Sequence, residues 1–299
     1  MKITNVFVVG SGFMGSGIVE NVATKGLNAT VYDIAKSQLK RSKDALEARL
    51  SRRVQRGKMT EEEKASIIAR ISYTTDLADC KTADVIIEAV SENAELKIDI
   101  MRRVDKISKK EAIIASNTSS ISITMLGNHL SDPGRFVGMH FFSPVPVIPL
   151  LEIVHGLNTS DETLAKANKF GEFLGKTCIQ SKDEAGFIIN RMLIPMLNEA
   201  CILVERGVGS IEEMDAGMKL GLNHPMGPLE LIDMIGLDVA LACMETMYHE
   251  LGDPKYRPAV SLRRMVDAGF LGRKNGRGFY VYEADGTKYP NPALVKPLA

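Results

Sequence analysis

The chain has 299 residues, of which 45% are hydrophobic and 25% are charged, a composition typical of a globular protein with about two domains. Its 37 basic residues equal its 37 acidic residues, which argues against nucleic acid or a membrane surface as a general partner. No apolar stretch approaches the roughly 20 residues of a membrane span. The first apolar run is too short for a secretory signal and leads into glycines.

The spacing of the cysteines restricts the class of protein further. Cys80, Cys178, Cys201 and Cys243 lie far apart and form no Cys-x-x-Cys or Cys/His cluster, so we expect no metal site. Dispersed cysteines in a chain of this length are typical of buried thiols in a reducing compartment. We therefore expect a cytoplasmic protein.

The N-terminal pattern predicts a βαβ unit. Residues 3–9 form an apolar run that ends in glycine, and a helical pattern begins at Phe13. Residues 29–32 are expected to form a second strand that stops at Asp33. A strand, a tight turn, a helix and a second strand within about 30 residues match the size of that unit.

A helical insertion is predicted next, over residues 36–70. It consists of two helical stretches with a break at Gly57. Thr60 and Glu63 have the spacing of a capping box, which restarts the helix. An insertion of this length exceeds what a minimal doubly wound fold needs.

Strands and helices then alternate. The further predicted strands are residues 84–88, 112–115, 136–142, 150–154 and 177–180. A helix is predicted over residues 161–174, with Ser160 as its N-cap. Alternation of this kind indicates a mainly parallel sheet that is covered by helices on both faces.

Beyond about residue 184 the pattern becomes helical. Helical periodicity covers residues 186–206, 210–220, 227–250 and 258–268. We therefore predict an α/β fold with two domains. Residues 1–184 would form a Rossmann-type doubly wound, mainly parallel sheet with a helical-hairpin insertion, and residues 185–299 an all-α domain.

A glycine-rich turn between the first strand and the first helix predicts a dinucleotide site. Gly10, Gly12 and Gly15 have the spacing GxGxxG. The first glycine permits the tight turn, the second lets the backbone approach a pyrophosphate, and the third lets helix and strand pack closely. Phe13 and Met14 lie within the motif, at a helix N-terminus that favours phosphate. We expect all five residues to bind the cofactor.

Asp33 bears on the choice of cofactor. It lies 18 residues beyond Gly15, where a carboxylate binds the ribose 2′-hydroxyl and repels a 2′-phosphate. We therefore expect NAD rather than NADP, although Lys36 lies close by and weakens that preference. The alternative is a glycine turn without a ligand, beside an aspartate that only caps its strand.

His140 and Glu152 are candidates for proton transfer. His140 lies at the end of a predicted strand, where ligands of open α/β sheets bind, and an imidazole exchanges a proton near neutral pH. Glu152 lies in the next apolar strand and needs a partner if it is buried. A His–carboxylate pair would fix the imidazole tautomer. The alternatives are a structural histidine and a glutamate on a solvent-facing edge.

Two polar side chains are candidates for binding a substrate oxygen. Ser119 belongs to a run of small polar residues after the strand at 112–115, where it could equally cap the next helix. Asn190 lies on an apolar face of the first long helix of the second domain, which suggests a specific hydrogen bond.

Taken together, these motifs show that the chain resembles the short-chain 3-hydroxyacyl-CoA dehydrogenases, and in particular the bacterial 3-hydroxybutyryl-CoA dehydrogenases. The resemblance covers nearly the whole chain. The matching segments are GSGFMGSGI (10–18), EAVSEN (88–93) with Lys97, SNTSS (116–120), GMHFFSP (138–144), GFIINR (186–191), HPMGPLEL (224–231) and GRKNGRGFY (272–280).

The resemblance implies an NAD-dependent interconversion of 3-hydroxyacyl-CoA and 3-oxoacyl-CoA. His140 would take the 3-hydroxyl proton on oxidation and return it on reduction, with Glu152 orienting it. Ser119 and Asn190 would hydrogen-bond the reacting oxygen or the thioester carbonyl. Hydride would pass between C3 of the substrate and the nicotinamide.

The resemblance also bears on the pocket and the assembly. It implies that Glu92, Lys97 and Asn117 contribute to the cofactor pocket and that the helical domain forms a homodimer. Ser143 departs from the family pattern, which commonly has Asn at this position. The shorter serine side chain is expected to lose a direct hydrogen bond or to make it through water.

A basic stretch fits the phosphates of coenzyme A. Residues 36–58 contain nine Lys or Arg and two Asp or Glu, an excess of seven. Arg52 and Arg56 are four residues apart and so share one helix face, and arginine suits phosphate. We expect these two residues to contact CoA. The alternative is a solvated basic face.

Two other functions remain open. A β-hydroxyacid dehydrogenase that acts on free acids shares a similar glycine turn, but such enzymes carry a catalytic Lys on the interdomain helix, where this chain has Asn190 and Arg191. A dinucleotide-binding sensor that retains the fold without catalysis would bind NADH and show no turnover.

Overall fold

A computed structural model describes residues 3–294 of the chain. The chain divides into two compact units, with the division between Glu184 and Ala185. The first unit contains an eight-stranded sheet and the second is mainly helical.

The sheet of the first unit has the strand order β3-β2-β1-β4-β5-β6-β7-β8. Its strands are β1 (Asn5–Val9), β2 (Asn28–Tyr32), β3 (Ile71–Thr74), β4 (Val85–Glu88), β5 (Ile113–Ser116), β6 (Phe136–Phe141), β7 (Leu150–His155) and β8 (Thr177–Lys182). Every neighbouring pair is parallel except β6 and β7. The predicted Rossmann-type, mainly parallel sheet is therefore confirmed.

The central strands are apolar throughout because both faces of the sheet are buried. Val6 and Val8 pack in one core with Ile18 and Phe170, and Phe7 on the other face of β1 is also buried. The helices of this unit are α1 (Phe13–Thr24), α2 (Lys36–Gln55), α3 (Glu61–Ala69), α4 (Ala94–Ile107), α5 (Ile123–Gly127) and α6 (Asp161–Phe173).

Helices α2 and α3 form the predicted helical insertion. Thr60 and Glu63 make the expected capping box at the start of α3, with each side chain bonded to the backbone of the other. Leu46 and Leu50 of α2 are buried in a small core with Ala23 of α1. This core holds the basic helix α2 against the helix that follows the glycine turn.

The second unit consists of five α-helices and a hairpin in the described part of the chain. They are α7 (Ile189–Glu205), α8 (Ile211–Leu222), α9 (Pro228–Ile235), α10 (Leu237–Leu251), α11 (Val260–Asp267) and the antiparallel strands β9 (Tyr280–Tyr282) and β10 (Lys288–Pro290). A core of aliphatic, methionine and aromatic side chains joins them.

The observed elements differ from the sequence-based expectations in four places. Strand β3 and the β9–β10 hairpin were not predicted, because both are short and only partly buried. The helix expected from residue 186 begins at Ile189, since Gly186 and Phe187 have φ values of +82° and +48°. The single stretch expected over residues 227–250 is two helices, because Gly236 has a φ of +103°.

Two buried aspartates tie the second unit together. Asp215 accepts from the backbone N–H of Leu229 at 2.8 Å, and Asp233 accepts from the backbone N–H groups of Phe279 and Tyr280 at 2.8 and 2.9 Å. Burial raises the pKa of Asp233 to about 6, against the lowering effect of these bonds. The segments 224–231 and 272–280, singled out from the sequence, are therefore bound to buried carboxylates and form part of the framework.

Within residues 3–294, none of the helices has the length and apolar character needed to cross a membrane. No disulfide joins the four cysteines, and Cys80 and Cys201 are fully buried.

Candidate active site

The glycine-rich turn has the geometry that its spacing predicts. Gly10 has a φ of +106°, and a Cβ on Gly15 would lie 1.9 Å from the carbonyl oxygen of Gly10. The third glycine thus allows α1 to pack against the end of β1. A Cβ on Gly12 would meet no protein atom within 4 Å, so that its Cα faces open space at the start of α1. This space is where a pyrophosphate would approach the helix N-terminus.

Asp33 is bonded to the glycine turn. Its Oδ2 accepts from the backbone N–H and the hydroxyl of Ser11, at 3.1 and 2.7 Å, and its Oδ1 accepts from the N–H of Ala35 at 3.1 Å. A carboxylate can accept about four hydrogen bonds, so that it retains capacity for a ribose hydroxyl. These residues therefore fit a dinucleotide without a 2′-phosphate.

A buried cation lies between two carboxylates at the carboxyl ends of the next strands. Lys97 of α4 is 1% exposed, and its Nζ lies 2.7 Å from Oε1 of Glu88 and 3.2 Å from Oε2 of Glu92. Glu88, the last residue of β4, also accepts from the hydroxyl of Ser116 at 2.5 Å. The network fixes the carboxyl ends of β4 and β5 relative to α4.

Glu92 organises the polar loop that follows β5. Its Oε1 accepts from the hydroxyl of Thr118 at 2.5 Å and from the backbone N–H groups of Ser119 and Ser120 at 3.0 and 3.1 Å. Burial acts to raise the pKa of the Glu92 carboxyl, but the Lys97 charge and these bonds outweigh it and hold the pKa below its usual range. The carboxylate therefore stays ionised and holds the loop that carries Ser119.

Asn117 joins this loop to the strand that carries His140. Its side-chain Oδ1 accepts from the backbone N–H of Phe141 at 2.8 Å, and its backbone N–H donates to the carbonyl oxygen of Glu88. Asn117 thus links the ends of three neighbouring strands, and its side chain lies one residue from the histidine.

His140 and Glu152 form a buried pair. They are register partners on the antiparallel strands β6 and β7, and Nδ1 of the imidazole lies 2.6 Å from Oε2 of the carboxylate. The ring also packs against Phe142, with 4.5 Å between centroids. In a His–carboxylate pair of this geometry, an Nδ1 atom that donates to the carboxylate fixes the tautomer and the orientation of the ring.

The position of His140 in the sheet follows from the topology. Strands β1, β4, β5 and β6 run parallel, so that their carboxyl ends all lie at the same end of the sheet. The glycine turn follows β1, and His140 is the next-to-last residue of β6 at the same end. Open α/β sheets bind their ligands at this end.

A cleft of about 570 Å³ lies in the first unit, which is within the range of small-molecule sites. We call it the basic cleft. Its walls include Phe13 and Gly17 of α1, Arg52 of α2 with Arg56 directly after that helix, and residues 144–147 between β6 and β7.

Two of the four arginines that line the basic cleft form ion pairs with Glu20, and the other two form none with residues 3–294. Arg49 lies 2.9 Å from the buried carboxylate of Glu20 and Arg53 lies 3.7 Å from it. Arg52 and Arg56 are exposed, and no carboxylate among residues 3–294 forms an ion pair with either. Their guanidinium groups remain available to an anionic ligand.

One predicted site residue belongs to the second unit, and three further residues were not found by sequence reasoning. Asn190 is the second residue of α7, in the second unit. Sequence reasoning missed Glu88, Glu20 and Lys58, an exposed cation that also lines the basic cleft. The available signal for Glu88 was a carboxylate in an apolar strand, the signal that also identified Glu152, although Glu88 is the last residue of its strand and Glu152 lies inside its own.

Comparisons with known proteins agree over almost the whole chain. Residues 5–184 match the family described as "3-hydroxyacyl-CoA dehydrogenase, NAD binding domain", and residues 186–282 match "3-hydroxyacyl-CoA dehydrogenase, C-terminal domain". A probable 3-hydroxybutyryl-CoA dehydrogenase of Deinococcus radiodurans is 47% identical over 275 residues, which cover 92% of this chain and 99% of the relative. A 3-hydroxybutyryl-CoA dehydrogenase of Bradyrhizobium diazoefficiens is 43% identical, over 94% of this chain and 96% of the relative.

A solved structure is similar to the same extent. The crystal structure of (S)-3-hydroxybutyryl-CoA dehydrogenase from Ralstonia eutropha superposes with a TM-score of 0.90 at 50% sequence identity. The similarity covers 94% of this chain and all of that chain.

Proposed function

Because the chain belongs to the 3-hydroxyacyl-CoA dehydrogenase family and is an NAD-dependent dehydrogenase, we propose that it interconverts 3-hydroxybutyryl-CoA and acetoacetyl-CoA. The observation that carries the proposal is the 2.6 Å contact between His140 Nδ1 and Glu152 Oε2 at the end of the sheet where the glycine turn lies. The names of the similar proteins support the substrate, since they specify 3-hydroxybutyryl-CoA.

His140 is the acid/base of the proposed reaction. On oxidation its Nε2 takes the proton of the 3-hydroxyl, and on reduction it returns that proton to the 3-oxo oxygen. Glu152 stabilises the protonated ring and keeps Nδ1 directed away from the substrate. Held at the glycine turn, the cofactor would supply the hydride acceptor for C3 as NAD in oxidation and the hydride donor as NADH in reduction. Ser119 and Asn190 hydrogen-bond the reacting oxygen or the thioester carbonyl.

The cofactor site of the proposal uses the glycine turn and the polar loop. Gly10, Gly12 and Gly15 admit the pyrophosphate, with Phe13 and Met14 beside it, and Asp33 binds the adenosine ribose. Glu92 and Asn117 hold the loop after β5 on the cofactor side. Lys97 acts through Glu92, because its own ammonium is buried beneath the loop.

The nucleotide part of CoA occupies the basic cleft in this proposal. Arg52 and Arg56 contact its phosphates, which is supported by their exposure and by the absence of carboxylate partners among residues 3–294. Arg49 and Arg53, which form ion pairs with Glu20, also line the cleft.

We also propose a homodimer in the cytoplasm. Helices of the second unit expose large apolar side chains that a second copy would cover, among them Met192, Leu220, Leu222 and Val239. The absence of disulfides between the four cysteines agrees with a reducing compartment. Sedimentation at equilibrium with Leu220→Asp, which is expected to yield a monomer, tests the assembly.

The test of the function is steady-state oxidation of NADH with acetoacetyl-CoA. We expect turnover by the parent and a loss of kcat on the order of 10²-fold or more in His140→Ala, with NADH binding retained. His249→Ala is the matched control, since that histidine is 88% exposed and lies in the other unit.

Three outcomes separate the alternatives. Turnover by the parent with an unchanged kcat in His140→Ala retains the enzyme and removes His140 from proton transfer. Binding of NADH without turnover indicates a sensor. Turnover with 3-hydroxybutyrate instead of its CoA thioester indicates an enzyme of free hydroxyacids.

A further inference from the structure

One wall of the basic cleft belongs to a proline-rich segment, residues 144–149, which we call the prolyl segment. Few of its carbonyl groups can be bonded by its own N–H groups. Three of residues 144–149 are proline and lack an amide proton. The N–H groups of Val147 and Ile148 both donate to the carbonyl oxygen of Pro144, at 2.9 and 3.0 Å. The carbonyl oxygens of Val145 and Ile148 therefore need donors from outside the segment.

Lys176 is that donor. It lies between α6 and β8, and its Nζ donates to the carbonyl oxygens of Val145 and Ile148, the latter at 2.8 Å. The next residue, Thr177, donates its backbone N–H to the carbonyl oxygen of Pro149 at 2.6 Å. Lys176 and Thr177 thus bind three carbonyl oxygens of the prolyl segment.

The partners of the Lys176 ammonium are backbone carbonyl oxygens. Its side chain is 7% exposed, and within residues 3–294 no Asp or Glu forms an ion pair with it. Burial lowers the pKa of Lys176, and the like charge of Lys25 lowers it further. Burying a charge without a carboxylate partner costs free energy of folding. The two bonds that Lys176 makes fix the segment that forms a wall of the cleft.

The fastened segment is seated on the helix of the glycine turn. Val145 is 2% exposed, and a Cβ on Gly17 of α1 would lie 3.1 Å from its side chain. The segment follows His140 by a few residues and lines the cleft together with Arg52 and Arg56. Its shape therefore determines the space between the basic helix and the end of β6.

We propose that Lys176 is a positioning residue for the CoA thioester, because it holds residues 144–148 in the shape that forms one wall of the basic cleft. The inference rests on the proposed function, since it names a residue that prepares the same site for the CoA part of the substrate. Lys176 acts on substrate affinity and has no part in proton or hydride transfer.

The test is steady-state kinetics of Lys176→Met and Lys176→Arg with NADH and acetoacetyl-CoA. We expect Lys176→Met to raise the KM for acetoacetyl-CoA by about tenfold, the loss for a hydrogen-bonded charge, with kcat and the KM for NADH unchanged. Lys176→Arg retains the charge and the donors and should recover part of the loss. Lys182→Met is the matched control, since this exposed lysine is the last residue of β8, the strand that begins directly after Lys176.

Each other result overturns the proposal. An unchanged KM for acetoacetyl-CoA in Lys176→Met removes the role. A parallel loss of kcat, NADH binding and thermal stability assigns Lys176 to folding alone, as does a failure of Lys176→Arg to recover any affinity. Calorimetry of CoA with the parent separates the two proposals: a parent that neither reduces acetoacetyl-CoA nor binds CoA contradicts the proposed function itself, and the inference fails with it.

Discussion

His140 and Glu152 face each other across the one antiparallel pair of the eight-stranded sheet, with 2.6 Å between Nδ1 and Oε2. Register partners on neighbouring strands keep this distance through the hydrogen bonds of the ladder, so that the pair does not depend on a flexible loop. Both residues are buried, which strengthens the interaction of the carboxylate with a protonated ring.

The first prediction is that Glu152→Gln lowers kcat on the order of 10²-fold or more, because an amide does not stabilise the protonated imidazole or enforce its tautomer. NADH oxidation at saturating acetoacetyl-CoA measures the effect. Glu111→Gln, at an exposed position, is the control. A variant with parental kcat would show that the pair is structural.

The second prediction separates the glycines of the turn. Gly12→Ala should fold with the thermal stability of the parent, because its Cβ meets no protein atom within 4 Å, and should weaken NADH binding by about tenfold or more. Gly15→Ala should instead be destabilised, because its Cβ would lie 1.9 Å from the carbonyl oxygen of Gly10. Melting curves and NADH titrations of both variants check this. Equal NADH affinity of Gly12→Ala and the parent would contradict the placement of the pyrophosphate beside Gly12.

The third prediction concerns the basic cleft. The double variant Arg52→Gln/Arg56→Gln should raise the KM for acetoacetyl-CoA much more than the KM for an acetoacetyl-pantetheine thioester, because only the full coenzyme carries the nucleotide phosphates. The KM of the parent for the full substrate should also rise with salt, since both arginines are exposed. The double variant Arg41→Gln/Lys43→Gln removes the same charge from exposed positions of the same helix and serves as the control. Equal effects on the two substrates would reject the CoA contact.

The fourth prediction concerns stability in acid. Burial opposes ionisation of Asp84, but bonds from Lys109 and from the backbone N–H groups of Thr4 and Asn5 prevail and lower its pKa from 3.8 to about 2. The stabilisation is therefore complete above the unfolded-state pKa and disappears as the pH falls from about 4 to about 2, and at neutral pH it amounts to about 2 kcal/mol.

Asp84→Asn should accordingly lower the free energy of unfolding by that amount at neutral pH. Denaturant titrations of the parent and the variant at several pH values measure the difference, which should shrink in acid. A difference that stays constant with pH would mean that the carboxylate charge is not its source.

Much of the site could be predicted from the sequence because its signals are local. The glycine spacing, the apolar strands and the acid after the second strand are all read within about 30 residues. Glu152 could be paired with His140 because a carboxylate in an apolar strand needs a partner, and the neighbouring strand offered an imidazole. These arguments depend on burial and strand order, which apolar patterning encodes.

What could not be predicted depends on contacts between distant segments. The place of Lys97 in the cofactor pocket stays a prediction, but the burial of its ammonium between Glu88 and Glu92 was not foreseen. Lysine is rarely buried without such partners. The break at Gly236 was missed because a glycine within a helical pattern costs only about 1 kcal/mol, and only the positive φ reveals its role. Strand β3 is short and half-buried at an edge, so that its apolar pattern is weak.

Helix α1 has a consequence for redesign of this protein. Its first turn belongs to the glycine motif, Gly17 supports the prolyl segment, and Ser16 and Glu20 bind Arg49 of the basic helix. Any mutation that tilts or shifts this helix to admit a bulkier cofactor therefore moves both walls of the cleft at the same time. The preference for the cofactor and the affinity for the thioester are therefore coupled through α1, which contacts both sites. An engineer who wishes to alter the first alone has to work at Asp33 and its loop, and leave the side of the helix intact.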